Sequence, residues 1–600
     1  MQEITSPSAV DVAANDTPAR MFAQLVAEHP DRPALAHRVG NQFVDVTTRQ
    51  FGDEVRALAK GLVAQGVEVG DRVCVMAHTR IEWTWLDFAI WAAGGVTVPI
   101  YETSASDQIE WIAGNSDAVV IVLEDARLKE RYDVVAAQLA NIKAVFVIED
   151  GGLDELKASG ADVDDSVIDK RSQAATGDDL ATLVYTSGTT GMPKGCHITH
   201  GNLMFDVRQA VAVAEGILES GGSTLFFLPL AHIFARMLEV GCVAAGVKIG
   251  FATGIPQLVE ELGMFRPTFA FSVPRVFEKV YNTARQRAKD DGKERIFDKA
   301  VDVAIDHSRE TMAGGVSLKT RVLHALFDRL VYGKLRDIFG GQCTDSISGG
   351  APLGERLGHF YNGIGVTVYE GYGLTETSAG HTLNRPGAIR IGSVGTPLPG
   401  CSVRIADDGE VMLRGDNVFK GYWKNDQATQ ESIEREGWFH SGDLGRLDDD
   451  GFLYITGRKK EIIVTAGGKN VAPAVLEDRL RAHALVSQCM VVGDNQPFIG
   501  ALVTIDPDVF PAWANEHGKS GKSIADLTED DDLKAAIQEA VNHANQAVSK
   551  AEAIKEFRIL PEDFTIETGE MTPSLKVKRN VVVDKYGSYI EEIYATVQRI

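Results

Sequence analysis

The stretch YTSGTTGMPKG, Tyr185 to Gly195, follows the strand-like run ATLVY, whose last residue it shares, and precedes HGNLMFDVRQAVAVA, which has amphipathic helical spacing. Its glycines let backbone N–H groups approach an anion, its hydroxyls add donors, and Lys194 adds a point charge. A Walker loop reads G-x-x-x-x-G-K-[ST]. Counted from Gly188, the second Gly slot holds Pro193, Lys194 is in place, and the Ser/Thr slot holds Gly195. Taken alone, the stretch is either a phosphate device of another kind or a Gly/Thr surface loop.

Outward from this loop, short β-rich runs alternate with helical periodicity. On the N-terminal side are VRALAKGLVAQG, DRVCVMA, IEWTWLDFAIWAAGG, TVPIY and AVVIVLED, and on the other STLFFLP, VKIGF, PTFAFSV and QCTDSISGG. This alternation predicts an α/β fold with largely parallel sheets. From about Arg404 the texture changes to short strands with tight turns, predicting a β-rich subdomain over about 401–456. A unit of α+β character follows, with strand-like SQCMVVGD and GALVTID and a helix in DDLKAAIQEAVNHANQAVSK. The expected division is a large N-terminal domain, 1–457, and a small C-terminal domain, 458–600.

The 600 residues are too many for one core, and 44% hydrophobic with 24% charged residues is ordinary globular composition. A formal charge of −24 argues against general nucleic-acid binding, which needs a basic field. Six scattered cysteines without a C-x-x-C pair read as reduced thiols, with neither a zinc site nor a disulfide framework. No signal-like apolar segment opens the chain and no run of 18 apolar residues occurs, so the expected location is cytoplasmic.

Three further stretches suit a nucleotide. In YEGYGLTETSAG, Tyr372 can stack on a purine and Glu376 is a hard oxygen ligand suited to Mg²⁺. SISGGAPL offers a glycine pair where backbone can lie flat against a base. GWFHSGDLG puts Asp443 in a turn, where a carboxylate can take both ribose hydroxyls. Each has a dull alternative as a turn, a surface acid or a packed tyrosine, but the set in this order is hard to dismiss.

The set YTSGTTGMPKG, YGLTE, SGDLG and GRKKEII resembles the adenylate-forming superfamily over nearly the whole chain. VPRVFEK, the helical block after it and the TPSLKVKR ending make it most similar to the long-chain fatty acyl-CoA ligases. The resemblance implies that Thr186, Ser187, Gly188, Thr189, Thr190, Gly191 and Lys194 hold the ATP phosphates, with Thr186 and Glu376 near Mg²⁺. Gly349, Gly350, Ala351, Glu370, Tyr372, Gly373 and Thr375 would surround adenine, and Asp443 and Arg458 would bind the ribose side. Lys460 would be the hinge of a mobile small domain, and Lys576 the adenylation lysine. Gly467 and Gly468 would line the CoA passage, and His232 would sit at an acyl gate. The implied reaction turns a long-chain fatty acid, ATP and CoA into acyl-CoA, AMP and pyrophosphate. The rivals are a fatty acyl-AMP ligase serving a carrier protein and a non-catalytic nucleotide- or acyl-binding protein.

Between 281 and 339 lies a helical block. Its second half places Leu318, Val322, Leu326, Leu330 and Leu335 near one stripe. Lys319, Arg321, Arg329, Lys334 and Arg336 against Asp328 and Asp337 make it locally +3 (five minus two). This is either a helix packed on its own domain or a patch, within 316–339, that meets an anionic membrane or a partner subunit. Oligomeric state is not legible.

Overall fold

The structure is a computed structural model that describes residues 2–186, 192–572 and 576–595. Of the phosphate-loop residues, Ser187, Gly188, Thr189, Thr190 and Gly191 lie outside the described residues.

The buried runs VCVM, VTVPI and AVVIVL form the strands Arg72–Met76, Val96–Ile100 and Ala118–Leu123. They are apolar on both faces because helices cover both, the usual state of a parallel sheet. With Ala144–Val147 on one flank and Leu180–Thr186 on the other they run parallel, and Lys194–Thr199 closes the edge antiparallel. A second sheet sets Phe269–Ser272, Asp345–Ser348 and Thr367–Tyr372 in parallel and ends in two short antiparallel strands. A third aligns Ser223–Phe226, Lys248–Phe251 and Pro33–Val39, with Gln42–Thr47 returning as a hairpin.

A buried polar cluster ties these layers together. Arg236 lies between the rings of Trp83 and Trp91, 5.5 Å from each centroid. Its Nη2 and Nε donate to Asp87 Oδ1 and Oδ2 at 2.7 and 2.9 Å, and Nη1 donates to Thr182 Oγ1 at 2.7 Å. Thr84 donates to Glu239 beside them. The cluster joins helix Ile81–Ala92 to helix Ile233–Ala245 and to the strand that ends at Thr186.

The β-rich part is an antiparallel sheet of Ser402–Ile405, Glu410–Arg414, Phe439–Leu447 and Leu453–Arg458. A fifth strand, Gln2–Thr5, joins its edge from the other end of the chain. Arg458, placed by the sequence in the small domain, is the last residue of this sheet.

From Ile463 onward the chain builds its own cores. Strands Val486–Val492, Ile499–Ile505 and Ile554–Ile559 form one sheet. Cys489 and Val491 pack on one side with helices Pro473–Arg481 and Asp531–Asn545, while Met490 and Val492 pack on the other with the last two helices. Alternate residues thus serve two cores, as the two-residue strand period requires. Among the described residues, four polar contacts bind this unit to helix Pro274–Asp290. Arg275 Nη2 donates to Ser487 Oγ at 3.1 Å and pairs with Asp506 at 3.7 Å, Lys279 pairs with Asp508 at 3.1 Å, and Lys289 pairs with Glu516 at 2.6 Å.

The helical block consists of Pro274–Asp290, Glu294–Met312, Leu318–Phe327, a π turn over Asp328–Tyr332, and Gly333–Ile338. Its expected stripe divides. Leu335 is buried, whereas Leu318, Val322, Leu326 and Leu330 face solvent. The face that packs inward is Thr320, Phe327, Tyr332 and Leu335. No described helix is long and apolar enough to cross a membrane.

Candidate active site

The carboxyl ends of the parallel strands, the β-rich sheet and the small unit meet around Asp443. The Tyr372 hydroxyl donates to Asp443 Oδ2 at 2.7 Å and Arg458 Nε donates to Oδ1 at 2.9 Å. Strand pairing sets Asp443 opposite Arg458. Asp443 is buried, and desolvation, with the charge of Asp443 beside it, pushes the Tyr372 phenol well up.

Glu376 stands in a 3₁₀ turn, Thr375–Thr377, directly after the strand bearing Tyr372. The backbone then passes through Ser378 at φ 56° and Ala379 at φ 109°, both in the region L side chains rarely occupy. Such strain persists only where surroundings over-determine it. Here Asn417 Nδ2 donates to the Thr377 and Gly380 carbonyls, and the Gly380 N–H donates to buried Asp206. Gly373 belongs to the same turn, since a Cβ on it would lie 1.8 Å from the Ala379 carbonyl oxygen. Close packing explains this glycine without a ligand.

Glu376 Oε1 accepts the Tyr422 hydroxyl at 2.8 Å, and the Tyr422 ring carries Lys194 Nζ 4.9 Å from its centroid. Lys194 pairs across the hairpin with Thr186. Burial raises the Glu376 carboxyl pKa, which the Tyr422 hydrogen bond and Arg458 oppose. Tyr422 was not among the residues read from the sequence. Its only signal was a tyrosine in the unremarkable run FKGYWK.

Glu370 is buried at the floor, with Oε1 accepting the Leu353 N–H at 2.8 Å, and desolvation pushes it up to about 7. It thereby braces the turn holding Gly349, Gly350 and Ala351. Gly350 has φ +83°, and a Cβ on Gly349 would touch the Phe234 ring at 3.4 Å. His232 caps the helix that begins at Ile233, its Nδ1 accepting the Phe234 N–H at 3.2 Å, so Nε2 carries the ring proton. Burial, aided by the positive charge of Lys576, pushes His232 down to about 4 and leaves it neutral.

Lys576 comes from the small unit. Its N–H donates to Thr572 Oγ1 at 3.0 Å beside a bridge between Met571 and Val577. The residue is exposed to solvent, yet protein packed around its ammonium group desolvates it. Enclosure lowers its pKa, Arg458 lowers it further, and Asp443, Glu461 and Glu376 act against both. The charges of Arg458, Asp443 and Glu376 bear on Lys576, and that of Lys576 bears on His232, so these five groups lie near one another.

Lys460 lies exposed in the turn Lys459–Glu461 that follows the last strand of the β-rich sheet. Neighbouring Lys459 is tied back to Glu410 at 3.1 Å. Gly467 and Gly468 are exposed at the tip between strands Ile463–Val464 and Asn470–Val471, with Gly468 at φ +73°. They are not among the groups gathered around Asp443. A cavity of about 470 Å³ opens between helix Pro274–Asp290 and the small unit, and no residue of the Asp443 cleft lines it.

Among the described residues no cluster of three His, Cys, Asp or Glu could cage a metal. The donor set nevertheless suits Mg²⁺, which is commonly held by one or two carboxylates plus substrate phosphates. Glu376 supplies such a carboxylate, with one oxygen committed to Tyr422.

Residues 22–423 match the AMP-binding enzyme family, and residues 460–598 match the AMP-binding enzyme C-terminal domain. The chain is 50% identical over 598 residues to long-chain-fatty-acid–CoA ligase FadD15 of Mycobacterium bovis, spanning 99% of this chain and 100% of that protein. It is 31% identical to long-chain-fatty-acid–CoA ligase ACSBG2 of Xenopus laevis, over 96% of this chain and 83% of that one. The A domain of carboxylic acid reductase from Segniliparus rugosus, solved with AMP and a co-purified carboxylic acid, superposes with TM-score 0.76 at 21% identity. The match spans 98% of this chain and 95% of that one, and at such identity it speaks for the fold alone. Two adjoining family matches and a full-length relative at half identity lead to one conclusion: this chain belongs to the AMP-binding, adenylate-forming enzymes.

Proposed function

We propose that the chain is an AMP-forming long-chain fatty acid:CoA ligase. The observation that supports the reading is the nearness of Lys576, from the small unit, to the charges of Arg458, Asp443 and Glu376 of the large one. The half-identical relative named as a long-chain-fatty-acid–CoA ligase supports the substrate class.

A carboxylate is a poor electrophile, so the thioester requires an activated acyl group. In the first step a fatty carboxylate oxygen attacks the α-phosphorus of ATP, the α–β bridge bond breaks, and pyrophosphate leaves. Two anions meet there, and Lys576 reaches both the carboxylate and the α-phosphate while Lys194 sits on the pyrophosphate side. Asp443 takes the ribose hydroxyls, with Arg458 beside it, and Tyr372 stacks on the adenine. Glu370 braces the Gly349–Ala351 lip against the base. Mg²⁺, held by Glu376 with Thr186, would offset the charge on the phosphates. In the second step the CoA sulfur attacks the acyl carbonyl, its proton is lost to solvent, and AMP leaves.

Lys576 has no role in that second step. The small unit therefore turns about Lys460 and brings Gly467 and Gly468 to the pantetheine arm. His232, neutral and beside Phe234, faces the acyl end. This chemistry belongs in the cytoplasm, where ATP and CoA are available.

The test is ATP–pyrophosphate exchange across fatty acids of graded length, with and without CoA. Exchange that favours long chains, and conversion to acyl-CoA when free CoA is added, is the expected result. Exchange without thioester formation from free CoA would overturn the ligase reading in favour of acyl-AMP delivery to a carrier.

A further inference from the structure

The helical block presents an apolar stripe that the catalytic site does not use. Leu318, Val322, Leu326 and Leu330 are 76%, 61%, 51% and 52% exposed, at four-residue intervals on one helical rod. In an ideal α-helix that interval drifts steadily around the axis. The π turn over Asp328–Tyr332, with its wider i→i+5 bonding, takes up part of the drift and keeps Leu330 with the others. Met312, 40% exposed, ends the preceding helix just before this rod begins.

The rod is firmly seated on its other side. The Tyr332 hydroxyl donates to the Ala300 carbonyl at 2.7 Å, and His324 Nε2 donates to the Gly363 carbonyl at 2.7 Å. Phe327 and Leu335 join the core beneath it. The exposed leucines are therefore held outward by a packed inner face. Single exposed apolar side chains are ordinary on protein surfaces, but four in line on one rod, three leucines and a valine, are not.

Charge names the occupant. On the 3.6-residue period Lys319 and Arg321 fall on either side of the stripe, and Arg329 and Lys334 follow along it. Among the described residues none of these four makes an ion pair within 4.0 Å, while Arg336 is matched by Asp328 at 2.7 Å. A face with unmatched cations and exposed leucines, on a chain of net charge −24, is complementary to an anionic apolar surface. It also sets the orientation, since the acidic bulk of the molecule is repelled from the same surface. We propose that the stripe Leu318–Val322–Leu326–Leu330, flanked by Lys319, Arg321, Arg329 and Lys334, docks this protein onto anionic lipid bilayers. The leucines enter the acyl boundary and the cations meet the headgroups, as for an interfacial amphipathic helix.

The experiment is sedimentation of the full-length protein with phosphatidylcholine vesicles, with and without phosphatidylglycerol, at low and high salt. The wild type should bind the phosphatidylglycerol vesicles at least tenfold better and lose most of that preference at high salt. The triple variant Leu318→Gln, Val322→Gln, Leu326→Gln should lose at least tenfold in binding at an unchanged thermal midpoint, since none of these side chains is buried. The variant Lys319→Gln, Arg321→Gln, Arg329→Gln should erase the lipid preference by on the order of 10²-fold, about fivefold per cation. Undiminished vesicle binding by the apolar variant would overturn the proposal. So would a wild-type dimer, seen by analytical ultracentrifugation, whose dissociation is that variant's sole defect. Vesicle binding requires no turnover, so its failure and that of the ligase reading are distinguishable.

Discussion

The Tyr422 hydroxyl donates to Glu376 Oε1 at 2.8 Å, and through the same ring Tyr422 sits beneath Lys194. One side chain thus sets both a carboxylate for the cation and a lysine for the phosphates. Removing the hydroxyl in Tyr422→Phe frees the carboxylate to rotate while keeping the ring under Lys194. Loss of such a supporting contact typically costs 10–100-fold in metal affinity or activity. The pyrophosphate-exchange rate should fall in that range and be partly restored by excess Mg²⁺. A variant with wild-type Mg²⁺ dependence would contradict this role.

Lys576 carries a pKa below the ordinary lysine value because its cleft encloses it and Arg458 is near. Its ammonium form is the one that can offset two anions. As pH rises, that form is lost sooner than on a surface lysine. Exchange should therefore decline on the alkaline side below the ordinary lysine range. In Lys576→Arg any remaining activity should lack this limb, since a guanidinium keeps its proton. Identical alkaline limbs in both proteins would assign the titration elsewhere.

Lys279–Asp508 and Lys289–Glu516 cross from the large unit to the small one and help hold the arrangement in which Lys576 lies near Asp443. They are substantially exposed, so each is worth at most about 1 kcal/mol. The variant Lys279→Gln, Lys289→Gln should slow exchange two- to tenfold and leave thioester formation from supplied acyl-AMP at least as fast. The difference should shrink at 0.5 M salt, where exposed pairs are screened. Equal slowing of both half-reactions would remove these pairs from the domain switch.

Glu239 lies buried beside Asp87, which already holds the charge that Arg236 matches. Desolvation and that neighbouring carboxylate raise the Glu239 pKa and keep it protonated at neutral pH. The unfolded chain releases this proton in the ordinary glutamate range. Stability is therefore greatest below that range and is lost as pH rises through it toward the folded value, at up to about 1.4 kcal/mol per unit. Glu239→Gln keeps the shape without the proton and should flatten that part of the urea-midpoint profile. An unchanged slope would show that Glu239 is ionised in the fold.

How far these features were legible depended on their range along the chain. Parallel strands such as Ala118–Leu123 were readable because six consecutive apolar residues need cover on both faces. Asp443 and Glu376 were readable as candidates because short runs of unusual composition surround them. The strand Gln2–Thr5 was not, since its partner Ser402–Ile405 lies some four hundred residues away and its own residues carry no alternation. Tyr422 and the Asp87–Arg236–Glu239 cluster were missed for the same reason, as each acquires meaning only from side chains brought in by distant segments. The stripe at Leu318 was legible as a stripe. Which way it faced depended on whether Phe327 and Tyr332 or the leucines met the core, and periodicity alone cannot decide that when both arcs are apolar.

The central claim is that Lys576 serves adenylation and then leaves the site. The direct measurement is Lys576→Ala assayed separately in the two half-reactions. Pyrophosphate exchange should fall by at least 10²-fold, in line with losing a group aimed at developing charge. Conversion of supplied acyl-AMP and CoA to acyl-CoA should remain within a few-fold of wild type. Equal loss in both half-reactions would contradict the account, because it would place Lys576 in the site throughout.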